Sequence, residues 1–252
     1  MTTNPKRTFR RLRQSICILL LIAVTAVVLA RIAVAAAADG RVQPDVQCDP
    51  VPLLLEFFDG VTPPALPTGW SSTTWATSNS GVPTPPADSL PNAAFVDDPG
   101  TISDKQLLSP NILAICDAGA VGVSFRNNFN LQDGFDGGVL EVSTDGGNTF
   151  QDILTFGSFV TGGYNGTIST CCGNPLAGRQ AWTGNSGGFI ATTVSLPDCS
   201  AFILRWRMGS DSSVSGEGWR IDTVAVTQPS PCPPPPPRHG RPTPHPRPTP
   251  PR

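Results

Sequence analysis

The stretch Arg205–Val226, RWRMGSDSSVSGEGWRIDTVAV, decides the fold. On the way in, Phe202, Leu204, Trp206 and Met208 alternate with Ile203, Arg205 and Arg207; on the way out, Trp219 and Ile221 alternate with Arg220 and Asp222, and a Thr-Val-Ala-Val run follows. A period of two is the strand signal, because one face of a strand is buried while the other meets water. Between the two runs, Ser210 to Gly218 holds loop-forming residues plus Val214. The stretch predicts two strands joined as a hairpin that closes a β domain.

The same signal recurs upstream. In Val121–Asn130, VGVSFRNNFN, one face carries Val121, Val123, Phe125, Asn127 and Phe129. Val139–Ser143 and Phe150–Phe156 flank the turn residues Thr-Asp-Gly-Gly-Asn and predict a second hairpin. Leu53–Phe58, Asn92–Val96, Lys105–Leu108, Ile112–Ile115, Phe189–Leu196 and Ala201–Met208 read as further short strands. Ser71–Pro91, rich in Ser, Thr and Pro, predicts an irregular surface excursion, and Gly162–Gly188 is a Gly- and Asn-rich loop. No segment keeps a helical period of useful length. Many short strands with Gly and Pro turns give an all-β class, an antiparallel β-sandwich or jelly roll.

The ends differ from the middle. Met1–Gln14 is basic, Ile16–Ala30 is apolar or small, and Ala33–Ala38 offers A-x-A cleavage sites, so residues 1–38 read as a secretory signal peptide. Left uncleaved, the segment is the chain's one route to a membrane, though it falls short of the ~20 apolar residues a span needs. Residues 39–52 form a linker, 53–228 the domain and 229–252 a tail in which thirteen of twenty-four residues are proline. Such a tail is extended and builds no core. The chain is expected to be secreted, at the cell surface or periplasmic.

From Cys48 to Gln228 six basic residues face seventeen acids, a net of −11. A domain so acidic excludes nucleic acid as a partner, since phosphate contacts need a basic surface. Six cysteines follow the leader: Cys48, Cys116, Cys171, Cys172, Cys199 and Cys232. An even number in an exported domain implies disulfides. Cys48–Cys232 would staple the domain ends and Cys116–Cys199 cross the middle, while Cys171 and Cys172 either join each other or reach elsewhere. The only histidines, His239 and His245, are in the tail, which removes Ser-His-Asp, Cys-His and histidine-metal chemistry from the domain. Glu56, Glu141 and Glu217 are the only glutamates, and Val139–Thr144 carries Glu141 alone where a jelly-roll glycosidase carries two on one strand face. The domain therefore reads as non-enzymatic.

The runs NPLAGRQAWTGNSGGFIATTVSL and LRWRMGSDSSVSGEGWRIDTVAV, with the opening EFFDGVTPPALPTGW, resemble the MAM-like, concanavalin-type jelly-roll domains of bacterial secreted and surface proteins. Related domains stand beside metallopeptidases of the immune-inhibitor and fungalysin kinds. The resemblance implies adjacent first and last strands and one structural calcium near them. It points to Glu56 and Asp222 as ligands, although the acid pair that follows the Trp in many relatives is Asp222-Thr223 here. It also implies an accessory role rather than catalysis.

Oxygen-rich groups for calcium lie at Asp97, Asp98 and Asp104, at Asp133 and Asp136, and at Asp211, Glu217 and Asp222; Glu56, Asp98 and Asp222 are the metal candidates. Aspartates at turns also bond their own backbone, which is the plainer explanation of any one group. For a glycan or envelope component, Trp182 in the Gly-rich loop is the expected exposed stacking face, with Trp75 next. Arg205 and Arg207 share a strand face, where they pair with neighbouring acids or meet a ligand. The function expected is surface attachment or carbohydrate and matrix binding. A purely structural envelope module, or an accessory domain beside a separate hydrolase, is the alternative.

Overall fold

The computed structural model describes residues 49–198 and 201–230. The expected signal peptide, the tail from residue 231 and the pairings Cys48–Cys232 and Cys116–Cys199 lie outside the described residues. Among the described residues no helix is long and apolar enough to cross a membrane.

The strands are β1 (Val51–Glu56), β2 (Ala76–Ser78), β3 (Ala93–Val96), β4 (Ser103–Leu108), β5 (Ile112–Leu113), β6 (Val121–Asn130), β7 (Gly137–Ser143), β8 (Gln151–Asp152), β9 (Ser158–Thr161), β10 (Gly166–Thr167), β11 (Gln180–Ala181), β12 (Ile190–Leu196), β13 (Ala201–Ser210) and β14 (Gly218–Gln228). One 3-10 turn, Ile153–Thr155, follows β8. Every pairing is antiparallel. A seven-stranded sheet runs β2-β3-β14-β6-β12-β9, with β1 also on β14, and a five-stranded sheet runs β4-β13-β7-β8, with β5 also on β13. The chain is thus all-β, an antiparallel sandwich, as the alternation predicts.

The core lies between the sheets. Val121, Val123, Phe125 and Phe129 of β6 and Trp219, Ile221, Val224 and Val226 of β14 meet Leu140 and Val142 of β7 and Phe202, Leu204, Trp206 and Met208 of β13. Trp206 stacks on Trp70 at 5.5 Å and receives the edge of Phe125 at the same distance. Large rings of this kind dominate the burial energy of a small core. Gly138 makes room for one of them: a Cβ there would sit 2.4 Å from the Trp219 ring.

Three expectations are corrected. The closing stretch is not a hairpin, because β13 and β14 belong to opposite sheets and the loop between them crosses the sandwich. Alternation reports which side chains point inward, and both partners of a sandwich point inward. Phe150–Phe156 is not a continuous strand: β8 is two residues long, then Asp152 accepts a hydrogen bond from Leu154 N and starts the 3-10 turn. Ser71–Pro91 contains strand β2 and buries Trp75, so it is part of the body rather than a free excursion. The turn between β7 and β8 does form, closed by Asp145. Its carboxylate accepts from Ser143 Oγ, Thr149 N and Thr149 Oγ1.

What holds the 80–89 loop is the outward face of β14. Arg220 is fully buried, and its guanidinium donates to the carbonyl oxygens of Ser80, Val82, Pro83 and Pro86. It also lies over the Phe95 ring at 4.6 Å. Burial pushes the guanidinium down to about 10. Two residues on, Asp222 accepts from Asp88 N, Ser89 N and Ser89 Oγ. The planar fork of arginine serves several carbonyls at once, which a lysine ammonium does not match. Arg220→Lys is expected to lower the unfolding free energy by about 2 kcal/mol, the scale of losing hydrogen bonds to a charged group; urea denaturation measures it.

Candidate functional site

Each sheet has an outer face, and the two are treated differently. The 80–89 loop covers part of the seven-stranded sheet. Over the five-stranded sheet, the Gly-rich loop folds back so that Ile168, Leu176 and Ala181 bury Val139 in a second small core. The neighbouring part of that sheet carries polar side chains.

Their placement follows from register. Arg205 stands opposite Leu108 of β4 and Glu141 of β7, and Arg207 opposite Gln106 and Val139. Arg207 grips Asp104 with both arms, Nε to Oδ1 at 2.8 Å and Nη2 to Oδ2 at 2.7 Å. Arg205 donates to Glu141 Oε2 and to Gln106 Oε1, and its guanidinium lies 3.9 Å from the Phe150 ring centre. Arg179, from the Gly-rich loop, bridges Glu141 and Asp152. The hydrogen bond from Arg207 holds the Asp104 carboxyl below the usual range, and the same bond raises Arg207. Burial lowers Arg205.

Beside this lattice a groove of about 400 Å³ is lined by Ser71, Ser72, Thr73, Asp104, Gln106 and Leu108. Its wall is built by the bridge between Ser71 and Leu108, with Ser71 N and Leu108 N each donating to the other's carbonyl. Ser72 Oγ donates to Gln106 O and accepts from Thr74 N and Trp75 N, which fixes the turn at the groove's rim. The groove thus offers hydroxyl, amide and carboxylate groups over one aliphatic side chain. Its volume falls within the roughly 300–1,000 Å³ of small-molecule sites.

The expected site residues are placed as follows. Trp182 is not an exposed stacking face; it is fully buried, packed on Phe125, Phe159, Tyr164 and Trp219, with Nε1 donating to Gly162 O. Trp75 is 3% exposed and meets Trp219 edge-on, so it too belongs to the core. Arg205 and Arg207 share a face and pair with acids of neighbouring strands. Of the expected metal ligands, Glu56 Oε1 accepts from Phe58 N, both Asp222 oxygens accept from protein donors, and Asp98 Oδ2 accepts from Gly216 N. Glu56 and Asp222 do share a region, because β1 and β14 lie side by side with Glu56 opposite Val224. Cys171 and Cys172 are bonded to each other, and Cys116 is also disulfide-bonded. Gln106, Phe150 and Arg179 carry no functional expectation from the sequence, and Asp104 was expected only among the calcium oxygens. The signal available for Asp104 and Gln106 was their alternation in SDKQLL, on the strand that turned out to flank the arginines.

Fold and surface together, over the described residues, define a β-sandwich module with a polar groove on an open sheet face. No protein-family model matches the chain and no curated protein sequence matches it, so the MAM-like resemblance rests on the quoted residues. Solved structures similar to it include the K3 cleaved adhesin domain of Lys-gingipain from Porphyromonas gingivalis, at 13% identity over 70% of this chain and 99% of that one, TM-score 0.41. TmCBM61 in complex with beta-1,4-galactotriose matches at 12% identity over 64% and 89%, TM-score 0.40. The CBM22-1 xylan-binding domain of Xyn10C from Paenibacillus barcinonensis matches at 10% identity over 72% and 96%, TM-score 0.40.

Two outcomes follow from this geometry. Trp182→Ala is expected to cost about 3–5 kcal/mol of stability, the scale for emptying a buried aromatic site; a melting curve close to that of the unmodified chain would contradict it. Asp104, with its lowered carboxyl, contributes stability that is present above pH 3.8 and lost as pH falls through its folded value. Asp104→Asn is therefore expected to flatten the acid limb of the stability curve below pH 3.8.

Proposed function

We propose that this chain is an exported, non-catalytic binding module of the cell surface or its surroundings, and that the groove on the five-stranded sheet takes a polyhydroxylated ligand, a carbohydrate of the surface or matrix. The observation that carries the reading is the groove itself. Ser71, Ser72, Thr73, Asp104 and Gln106 line an open cavity on a rigid sheet, with the Asp104 carboxylate already fixed by Arg207. Vicinal sugar hydroxyls suit a planar carboxylate, which accepts, beside an amide, which both donates and accepts, across one face. The groups need little reordering on binding, so less of the interaction energy is spent on entropy. Leu108, rather than an aromatic ring, supplies the apolar floor.

A second reading has its own support. Arg205 is committed to Glu141 and Gln106, and Arg207 to Asp104, so neither cation is free for an incoming ligand. That commitment favours a purely structural envelope module, whose lattice only stiffens the sheet.

A glycan array probed with the full chain separates the two. The binding reading expects a defined set of sugars, with Gln106→Ala weakening the best one roughly tenfold, about 1.4 kcal/mol. Binding to no glycan gives the structural reading instead, and binding unaffected by both Gln106→Ala and Asp104→Asn overturns the assignment of the ligand to the groove.

A further inference from the structure

Each basic side chain between Cys48 and Gln228 is spoken for. Lys105 binds Asp97, Arg126 binds Asp88, Arg179 binds Glu141 and Asp152, Arg205 binds Glu141 and Arg207 binds Asp104. Arg220 is taken up by carbonyl oxygens. Among the described residues four buried aspartates have no cation in contact; protein donors occupy both oxygens of Asp222, which leaves Asp98, Asp136 and Asp211.

Asp98, Asp136 and Asp211 are 3%, 0% and 1% exposed. Each gives one oxygen to the backbone: Gly216 N donates to Asp98 Oδ2 at 3.1 Å, Asp211 N to Asp136 Oδ1 at 2.6 Å and Ser213 N to Asp211 Oδ1 at 2.7 Å. The other oxygen of each, Asp98 Oδ1, Asp136 Oδ2 and Asp211 Oδ2, is buried with no hydrogen-bond partner, and so is Gln132 Oε1. The carboxyls of Asp98 and Asp136 lie within hydrogen-bonding reach of each other, the Gln132 backbone N–H faces Asp98, and the charge of Asp211 acts on Asp136. Buried charge without a counter-charge is costly, and native proteins pair it or use it to hold a metal.

The three come from different places in the chain that the fold makes equivalent. Asp98 follows β3 and precedes β4, Asp136 lies between β6 and β7, and Asp211 lies between β13 and β14. In every case the chain is leaving one sheet for the other. Four orphaned oxygens and no nitrogen or sulfur make a hard, all-oxygen donor set. Calcium accepts such sets, completing six to eight irregular ligands with water, whereas magnesium demands a near-regular octahedron. Among the described residues, no three His, Cys, Asp or Glu side chains are grouped so as to hold a metal ion as they stand. A site here would require the free oxygens to turn inward as an ion enters.

We propose that Asp98, Asp136 and Asp211, with the side-chain carbonyl of Gln132, bind one calcium ion that ties the three sheet-to-sheet crossovers together. This site is separate from the Glu56 and Asp222 region, where protein donors already occupy both oxygens of Asp222. It does not depend on the glycan reading.

The test is a calcium titration of the full, chelator-treated chain, read by isothermal titration calorimetry and by thermal unfolding at constant ionic strength. One site per chain is expected, with a melting temperature that rises with calcium as mass action requires. Asp136→Asn and Asp211→Asn should each weaken binding roughly tenfold or more, because affinity follows ligand charge count. Asp222→Asn should leave it unchanged. If the first two variants do not fold, Asp222→Asn decides: retained calcium binding supports the proposal and lost binding overturns it. Absence of heat and of any melting shift in the unmodified chain, binding that survives in both Asp136→Asn and Asp211→Asn, or an equal response to magnesium overturns it as well.

Discussion

The hydrogen bonding of β14 is the constraint on which the larger sheet depends. One edge of this strand is paired along most of its length with β6. The other edge is shared end to end, with β3 opposite Trp219–Ile221 and β1 opposite Val224–Gln228. A buried strand cannot leave its amides and carbonyls unpaired, so three neighbours must come together around this one. The handover falls at a bulge between Asp222 and Ala225, where Thr223 takes φ +50°. A β-branched residue in the left-handed region is unusual. Here it is held by its own amide on Asp222 Oδ1 and its hydroxyl on Asp88 Oδ2. The bulge thus gives β14 two partners on one edge and aims Asp222 at the loop it anchors.

Charge in this domain serves mainly as an anchor for irregular backbone. The Arg220 guanidinium has no carboxylate among its hydrogen-bond partners and is solvated instead by the carbonyl dipoles of a proline-rich loop. Asp222 does the converse with backbone amides. Glu141 collects Arg179 and Arg205, and so fastens the Gly-rich loop to β13 through β7. With few cations to share, most acids must find neutral donors. Asp145 does so within its own turn, where hydrogen bonds from Thr149 and Ser143 lower its carboxyl to about 2.

The sequence showed strands more readily than it showed neighbours. The alternation in β6, β13 and β14 is read correctly because each buries one face against the same core. That pattern is silent on which sheet a strand joins, and the supposed hairpin failed there. Trp182 was misplaced for a different reason. Glycine and asparagine around it signal a loop, and loops usually lie at the surface. This loop is long enough to bring its own Ile168 and Leu176 and fold back as a lid, so its tryptophan ends in the core. The acidic groups were sorted by closeness along the chain, as three separate clusters. The fold draws one aspartate from each, Asp98, Asp136 and Asp211, and only topology can show that.

The crossover end and the groove are joined through the strands they share. β4 carries Asp104 and Gln106, and it begins soon after the crossover that holds Asp98. β13 carries Arg205 and Arg207, and it ends at Ser210, immediately before Asp211. Ser103 and Ser210 are a paired position between these strands, and their hydroxyls are 2.6 Å apart. Ser210 Oγ also reaches Thr101 O, within the crossover itself. The geometry of the Asp104–Arg207 pair is therefore set by strand ends that converge where the buried aspartates meet. The register of β4 against β13, and with it the wall of the groove, is thus tied to the end of the sandwich that holds the buried aspartates.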